Sequence, residues 1–161
     1  MIKALRIDDR LLHGQVAAAW TPFLGVDTIL IANDRLMTDK TMQIAFKLAT
    51  PPGIILSMKS LDGAIEVVNN PKNFERKIMI IVESIRDAAY ICKHAKNIEK
   101  IIIGGQREEQ GKKKIESTVY LSEEDIKMLA EINESGIEVI LQTVPTAPKI
   151  RYDEIKRRFY K

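Results

Sequence analysis

Cysteine is almost absent from this sequence, whose 161 residues include only Cys92. A single cysteine excludes an internal disulfide, a CxxC redox pair and a multi-cysteine zinc site, and it favours a reducing compartment. No apolar run approaches the ~18 residues of a membrane span, and charge interrupts the first residues too early for a secretory signal. The sequence therefore predicts a cytoplasmic protein. Its length predicts a single domain over residues 1–161, since one domain takes about 150 residues.

An excess of charge of one sign is confined to the C-terminal end. Residues 149–161 hold six basic and two acidic residues, whereas the other 148 residues hold 19 basic and 20 acidic ones. The formal net charge of +3 therefore comes from a tail, so we expect no nucleic-acid-binding surface. The remaining composition, 45% hydrophobic and 29% charged, is typical of a soluble protein with a sizeable core.

Short apolar segments alternate with segments of helical period. The apolar runs are rich in Ile, Val and Leu and predict six strands buried on both faces, at 2–7, 28–32, 54–58, 78–82, 100–103 and 138–142. Five helices are predicted between them, at 15–21, 39–49, 61–69, 85–95 and 123–135. This alternation implies right-handed βαβ crossovers. The predicted fold is α/β, a three-layer α/β/α sandwich with a mainly parallel, doubly wound sheet of about six strands.

Local signals mark several helix ends. Thr38 is predicted to cap the second helix and Ser60 the third. Ser122 with Asp125 approximates a capping box for the fifth helix, and Gly136 supplies a left-handed stop after it.

Two segments depart from the alternating pattern. Residues 106–120 are polar and lack an apolar stripe, which predicts a long loop or a small hairpin. At the end of the chain, Tyr152, Ile155 and Phe159 are spaced by three and four, which predicts an amphipathic helix over 151–161.

The loop after the first strand, residues 8–15, carries the densest set of chemically useful side chains. Ligands of open α/β sheets bind at the carboxyl ends of the strands, where this loop is expected to lie. His13 precedes Gly14 at the expected start of the first helix, where free backbone N–H groups favour an anion. Arg6 and Arg10 flank the loop. These residues predict a site for a phosphoryl group.

The charged residues of this loop allow more than one arrangement. The planar fork of an arginine can hold two phosphate oxygens, but Arg6 and Arg10 could equally pair with the neighbouring aspartates and hold the loop. Either Asp8 or Asp9 could accept a hydrogen bond from one imidazole nitrogen of His13. The other nitrogen would then be free to act as a nucleophile, and a neutral imidazole is common near a reference pKa of about 6.5.

Other residue patterns favour structural roles or exclude alternative chemistry. The sequence has no GxxxxGK[ST] motif, no GxGxxG after the first strand and no second histidine near His13, so we expect neither a cofactor nor a metal. His94, near the end of the fourth helix, suits the helix dipole, and Cys92 and Trp20 are expected to be core residues. The paired glycines at 104–105 indicate either a turn or a close approach of the backbone to another group.

The segment RIDDRLLHGQV at residues 6–16 closely resembles the active-site signature of IIB subunits of the mannose, fructose and sorbose class, which includes N-acetylgalactosamine, in the bacterial sugar phosphotransferase system (PTS). The resemblance extends over nearly the whole chain and includes Asn-Asp at 33–34, Lys-Leu-Ala at 47–49, Pro-Gly at 52–53, Gly-Gly at 104–105 and the segment 121–125. The family fold is an α/β/α sandwich, in agreement with the periodicity.

The resemblance implies a phosphohistidine relay with His13 as the phosphorylated residue. In this family the subunit accepts a phosphoryl group from a IIA protein charged through HPr, and passes it to a sugar carried by the IIC and IID membrane subunits. Arg10 would then compensate the added charge, while Arg6 and Asp8 brace the loop. The backbone amides that would complete the anion site are those of Gly14 and Gln15.

Three matters stay open at this level. Either imidazole nitrogen could carry the phosphoryl group, and the choice of sugar belongs mainly to the membrane subunits. An alternative function is a non-covalent binding module that holds a phosphorylated metabolite on the loop. A third is a regulatory or membrane-docking role for the basic tail at 149–161.

Overall fold

The computed structural model describes the backbone of residues 1–161 and every side chain except that of Gln15. Over these described residues the chain forms nine strands: β1 (Ile2–Asp8), β2 (Thr28–Ala32), β3 (Ile55–Lys59), β4 (Ile78–Val82), β5 (Lys100–Gly105), β6 (Lys113–Glu116), β7 (Val119–Leu121), β8 (Glu138–Leu141) and β9 (Ile150–Arg151). The helices described are α1 (Gly14–Leu24), α2 (Lys40–Ala49), α3 (Leu61–Asn69), α4 (Ile85–His94), α5 (Glu123–Glu134) and α6 (Tyr152–Phe159).

Seven of the described strands form one sheet in the order β3-β2-β4-β1-β5-β8-β9. Neighbouring strands are parallel except for the last pair, β8 and β9, which is antiparallel. The first strand lies near the middle, where Leu5 is in register with Ile80 on one side and Ile101 on the other. The six predicted strands are confirmed, and the two residues of β9 add a seventh that is too short to produce a periodic signal.

Alternate residues of the strands feed two apolar cores on opposite faces of the sheet. Ala4 belongs to the core that contains Trp20 of α1 and Phe46 of α2, whereas Leu5 belongs to the core packed under α3, α4, α5 and α6. The predicted three-layer α/β/α sandwich is therefore confirmed. Burial on both faces explains the continuous apolar runs of inner strands such as β4. The predicted burial on both faces is wrong for β3, which lies at the edge of the sheet and contains only exposed and half-buried residues.

One predicted cap is wrong, and the others are confirmed. The α2 cap is Asp39, whose carboxylate accepts the backbone N–H of Met42 at 3.0 Å, whereas Thr38 ends a preceding 3₁₀ turn. Ser60 accepts the N–H of Gly63, and the capping box of α5 is complete. Gly136, just after that helix, has a φ of 96°.

The segment 106–120 contains the small antiparallel hairpin β6–β7, so the hairpin alternative is confirmed. The hairpin packs on α6, the predicted terminal helix. Lys113 Nζ donates to the carbonyl oxygen of Phe159 at 3.1 Å, and Arg158 Nη1 donates to that of Ile115 at 3.2 Å. Within the described residues, no helix combines the length and apolar character needed to cross a membrane.

Candidate functional site

Asp8 and His13 meet at the carboxyl end of β1. Asp8 ends this strand with its side chain 1% exposed, and its Oδ2 lies 3.1 Å from Nε2 of His13. Its Oδ1 accepts the backbone N–H of Arg10 at 3.0 Å. Of the two aspartates considered from the sequence, Asp8 is therefore the partner of the imidazole. The His13 side chain is 23% exposed, so the imidazole is partly accessible to solvent.

A left-handed residue bends the loop so that these two side chains can meet. Leu11 has a φ of 56°, and its N–H donates to the carbonyl oxygen of Asp8 at 2.8 Å. Leu11 and Leu12 are both buried in the core under α1. Their burial compensates for the conformational cost of a left-handed leucine, which is of order 1 kcal/mol.

His13 occupies the N-cap position of α1 in an extended conformation, and its carbonyl oxygen accepts the N–H of Ala17 at 3.1 Å. The backbone N–H groups of the first helical turn therefore lie next to the imidazole, as the sequence predicted. Gly14 begins the helix and is exposed. The side chain of Gln15 lies outside the described residues.

Arg6 is buried under the loop and does not face solvent. Its Nη1 donates to the carbonyl oxygen of Gln142 at 3.2 Å, and its Nη2 donates to that of Thr143 at 3.0 Å. Nη2 also lies 3.5 Å from Asp8 Oδ2, and the guanidinium lies 5.0 Å from the centre of the Trp20 ring. Burial lowers the pKa of Arg6 to about 10, a shift that the negative charge of Asp8 opposes. Of the two roles considered, Arg6 therefore takes that of a brace.

The paired glycines make room for these two buried side chains. A Cβ atom built on Gly104 would collide with the Arg6 guanidinium, and one on Gly105 would lie 3.2 Å from Asp8 Oδ1. The same end of β5 is hydrogen-bonded beside β1, with Gly105 in register with Asp8. The structure therefore gives the glycines the close-approach role.

Arg10 is the arginine of the loop that faces outward. Its side chain is 62% exposed, and its Nε lies 3.8 Å from Asp8 Oδ1. The guanidinium is therefore held loosely near the loop, and it can move toward an anion without first breaking a short hydrogen bond.

Arg107 was missed from the sequence, although it lies only two residues after the end of β5. Its backbone N–H and its Nε donate to Asp9 Oδ2 at 2.7 and 3.0 Å. The N–H of Asp9 in turn donates to the carbonyl oxygen of Gly105 at 3.0 Å. The loop after β5 is thus hydrogen-bonded to the His13 loop through Asp9.

The other two residues weighed from the sequence lie elsewhere. His94 ends α4 and packs its ring against Tyr90, with 4.6 Å between ring centres. Because α4 begins after the carboxyl end of β4, its last residue lies toward the opposite edge of the sheet. Cys92 packs against the core, and burial raises the pKa of its thiol to about 12.

Comparison with known proteins assigns the chain to a family. The model of the PTS system sorbose subfamily IIB component matches residues 2–159. The chain belongs to this family. It is therefore a IIB component of the PTS system, of the sorbose subfamily.

Relatives of this IIB component carry several sugar names. It is 32% identical to the sorbose-specific EIIB component of Lacticaseibacillus casei over 148 residues, which cover 92% of this chain and 90% of that protein. It is 31% identical to the mannose-specific EIIAB component of Escherichia coli over 151 residues, or 94% of this chain. The chain spans about half the length, 47%, of that second relative.

Solved structures of related IIB proteins agree with the fold described above. The IIBSor domain of the sorbose permease from Klebsiella pneumoniae superposes with a TM-score of 0.91 at 29% identity and covers 98% of this chain and 97% of its own. The manxB structure from Thermoanaerobacter tengcongensis gives a TM-score of 0.93 at 28% identity, over 100% and 98%. The IIB fold thus extends over the whole chain.

Proposed function

We propose that this IIB component is a phosphohistidine carrier with His13 as the phosphorylated residue. It accepts a phosphoryl group from a IIA protein, itself charged through HPr, and passes it to a sugar at the IIC and IID membrane subunits. It does so in the cytoplasm, peripherally associated with those subunits and without a metal or cofactor of its own. The contact between Asp8 Oδ2 and His13 Nε2 is the observation that carries this proposal.

That contact supports Nδ1 as the reacting nitrogen. An ionised carboxylate can only accept hydrogen bonds, so Nε2 of His13 carries the proton and Nδ1 keeps its lone pair. Nδ1 is then the nucleophile that forms the new nitrogen–phosphorus bond as the corresponding bond in the donor breaks. Asp8 stabilises the positive charge that develops on the ring during the attack.

The groups around the imidazole suit the negative charge that arrives with phosphorus. Arg10 can swing over the phosphoryl oxygens, and the backbone N–H groups of Gly14 and Gln15 lie at the positive end of α1. Arg6 and Asp8 hold the loop from below, while Asp9 holds it from the side. Positioning and charge neutralisation are the main requirements of phosphoryl transfer.

Onward transfer to the sugar is a second displacement that restores the free imidazole. The nitrogen–phosphorus bond breaks, a sugar hydroxyl forms a new oxygen–phosphorus bond, and that hydroxyl loses its proton to the surroundings.

The terminal helix packs on the β6–β7 hairpin through its apolar stripe, and Glu154 pairs with Arg157 and Arg158. These pairs neutralise part of the basic tail, so we assign it mainly to packing.

The test is phosphorylation with phosphoenolpyruvate, Enzyme I, HPr and a matching IIA protein. We expect one acid-labile, alkali-stable phosphate per chain, with the phosphorus resonance of an Nδ1-substituted imidazole. A His13→Gln protein should take up no label. The matched control is His94→Gln, which removes the only other histidine of the sequence and should label as the wild type does.

Two outcomes would contradict the proposal. Retention of the label in the His13→Gln protein would place the phosphate elsewhere. Tight binding of a phosphorylated metabolite by a protein that never becomes labelled would favour the non-covalent binding module instead.

A further inference from the structure

A cavity lies beside the His13 loop and shares Arg10 with the site described above. Its volume is about 470 Å³, within the range of small-molecule sites. The walls come from the loops that follow β1, β2, β4 and β5, together with α2. The residues that matter for its chemistry are Asp9, Arg10, Arg35, Phe46, Glu83 and Arg107.

The cavity occupies the position at which folds of this class bind ligands. β1 and β4 are neighbours in the sheet, but the helices that follow them, α1 and α4, pack on opposite faces. The loops therefore diverge at the carboxyl ends of these strands and leave a crevice between them. Ligands of open α/β sheets bind in such a crevice.

Three arginines, Arg10, Arg35 and Arg107, line the cavity and give it the chemistry of a phosphate site. Arg35 donates to Glu83 through Nη2, and Arg107 donates to Asp9 through Nε. A guanidinium has five N–H donors, so these pairs leave donors on both side chains for a ligand. Arg10 also lines the His13 site, so the two sites share one cation.

The remaining walls suit a polyhydroxylated ring. The carboxylates of Asp9 and Glu83 can accept hydrogen bonds from hydroxyl groups, since an ionised carboxylate has about four lone-pair positions. Phe46, Met42 and Leu36 contribute apolar surface to the same cavity. Apolar contact with C–H groups combined with a few placed polar groups is the usual composition of a small-molecule site.

We propose that this cavity binds a sugar phosphate, with the phosphate on the arginines and the hydroxyl groups on the carboxylates. This inference deepens the proposed function. It rests on the proposed function in one respect only, the choice of a sugar as the molecule that carries the phosphate. The occupant is held without a covalent bond. Because Arg10 serves both sites, occupancy of the cavity and phosphorylation of His13 compete for one guanidinium.

Binding is tested on the His13→Gln protein, which cannot enter the relay. Mannose 6-phosphate and fructose 1-phosphate are titrated by calorimetry and by amide NMR, beside mannose, fructose and inorganic phosphate. We expect at least one of the two sugar phosphates to bind with a Kd of about 1 mM or tighter, and more tightly than either of its parts. The amide shifts should centre on Arg35, Glu83 and Arg107.

The matched pair of variants is Arg35→Gln and Arg86→Gln. Both arginines are exposed on the surface, at 80% and 78%, and each pairs with one glutamate, but Arg86 lies outside the cavity. Loss of one charge-assisted hydrogen bond should weaken binding about fivefold or more in Arg35→Gln and leave Arg86→Gln unchanged.

Three results would overturn the inference: the absence of binding by both sugar phosphates at about 10 mM, equal affinity for inorganic phosphate, or equal weakening by the two variants. Amide shifts confined to residues outside the cavity would also overturn it, even if the Arg35 variant were too unstable to measure. Labelling of wild-type His13 is measured separately, so failure of the cavity leaves the relay untouched.

Discussion

Replacing Gly104 with alanine tests whether the fold depends on the space that this glycine leaves for the buried Arg6 side chain. The new Cβ would collide with the Arg6 guanidinium, so either Arg6 leaves the carbonyl oxygens of Gln142 and Thr143 or β5 shifts away from β1. Breaking a buried charged contact costs about 3–5 kcal/mol, and overpacking a core costs about 1–3 kcal/mol. We therefore expect Gly104→Ala to lower the free energy of unfolding by about 3 kcal/mol, or Tm by roughly 6–12 °C.

The assay is urea unfolding followed by fluorescence, since the single tryptophan, Trp20, packs directly on Arg6. The control is Gly105→Ala, whose Cβ would lie 3.2 Å from Asp8 and should cost about 1 kcal/mol. A Gly104→Ala protein within about 0.5 kcal/mol of wild type, the usual range of a neutral surface change, would refute the steric argument. So would a larger cost for Gly105→Ala.

Three further predictions concern the site, a helix end and the buried thiol. Asp8→Asn should slow phosphorylation of His13 by about 10- to 100-fold, because the imidazole loses the carboxylate that orients it, and rapid-quench labelling measures this. Ser122→Ala should cost about 1 kcal/mol in urea unfolding through loss of the capping box, and an unchanged midpoint would contradict this. Burial raises the pKa of Cys92 to about 12 in the folded state, from an ordinary value of 9.0, so the unfolded chain loses this proton first and stability should fall as pH rises above about 9. Unfolding of a Cys92→Ala protein should show a weaker fall over the same range.

The inner strands were predictable because a strand that is buried on both faces is a short, continuous run of apolar residues rich in Ile and Val, as in β4. Helix α1 was predicted over residues 15–21, but it extends to Leu24 and contains Pro22 in its last turn. The cap of α2 was predicted at Thr38 and not at Asp39 because a 3₁₀ turn includes Thr38 before α2 begins. The spacing of apolar residues alone does not reveal a 3₁₀ turn of four residues.

Most residues of the candidate site could be identified from the sequence, with the exception of Arg107, but the contacts between them could not. The sequence placed His13 at a helix start and put Asp8 and Asp9 within reach, yet the choice between the two aspartates depends on Leu11 adopting a left-handed backbone. Leucine gives no signal for that conformation. The contact of Arg107 with Asp9 depends on β5 lying beside β1, which is a property of strand order and not of local sequence.

Arg6 has a consequence for synthesis on the ribosome. The carbonyl oxygens that accept hydrogen bonds from its guanidinium belong to Gln142 and Thr143, near the other end of the chain. The indole N–H of Trp20 also donates to the carbonyl oxygen of Thr143. A nascent chain that has exposed only its first hundred residues would contain His13, Asp8 and Arg6, but it would lack the two carbonyl oxygens to which Arg6 donates. If His13 is the phosphorylated residue, as proposed, we expect it to become competent for phosphorylation only after Gln142 and Thr143 have been synthesised.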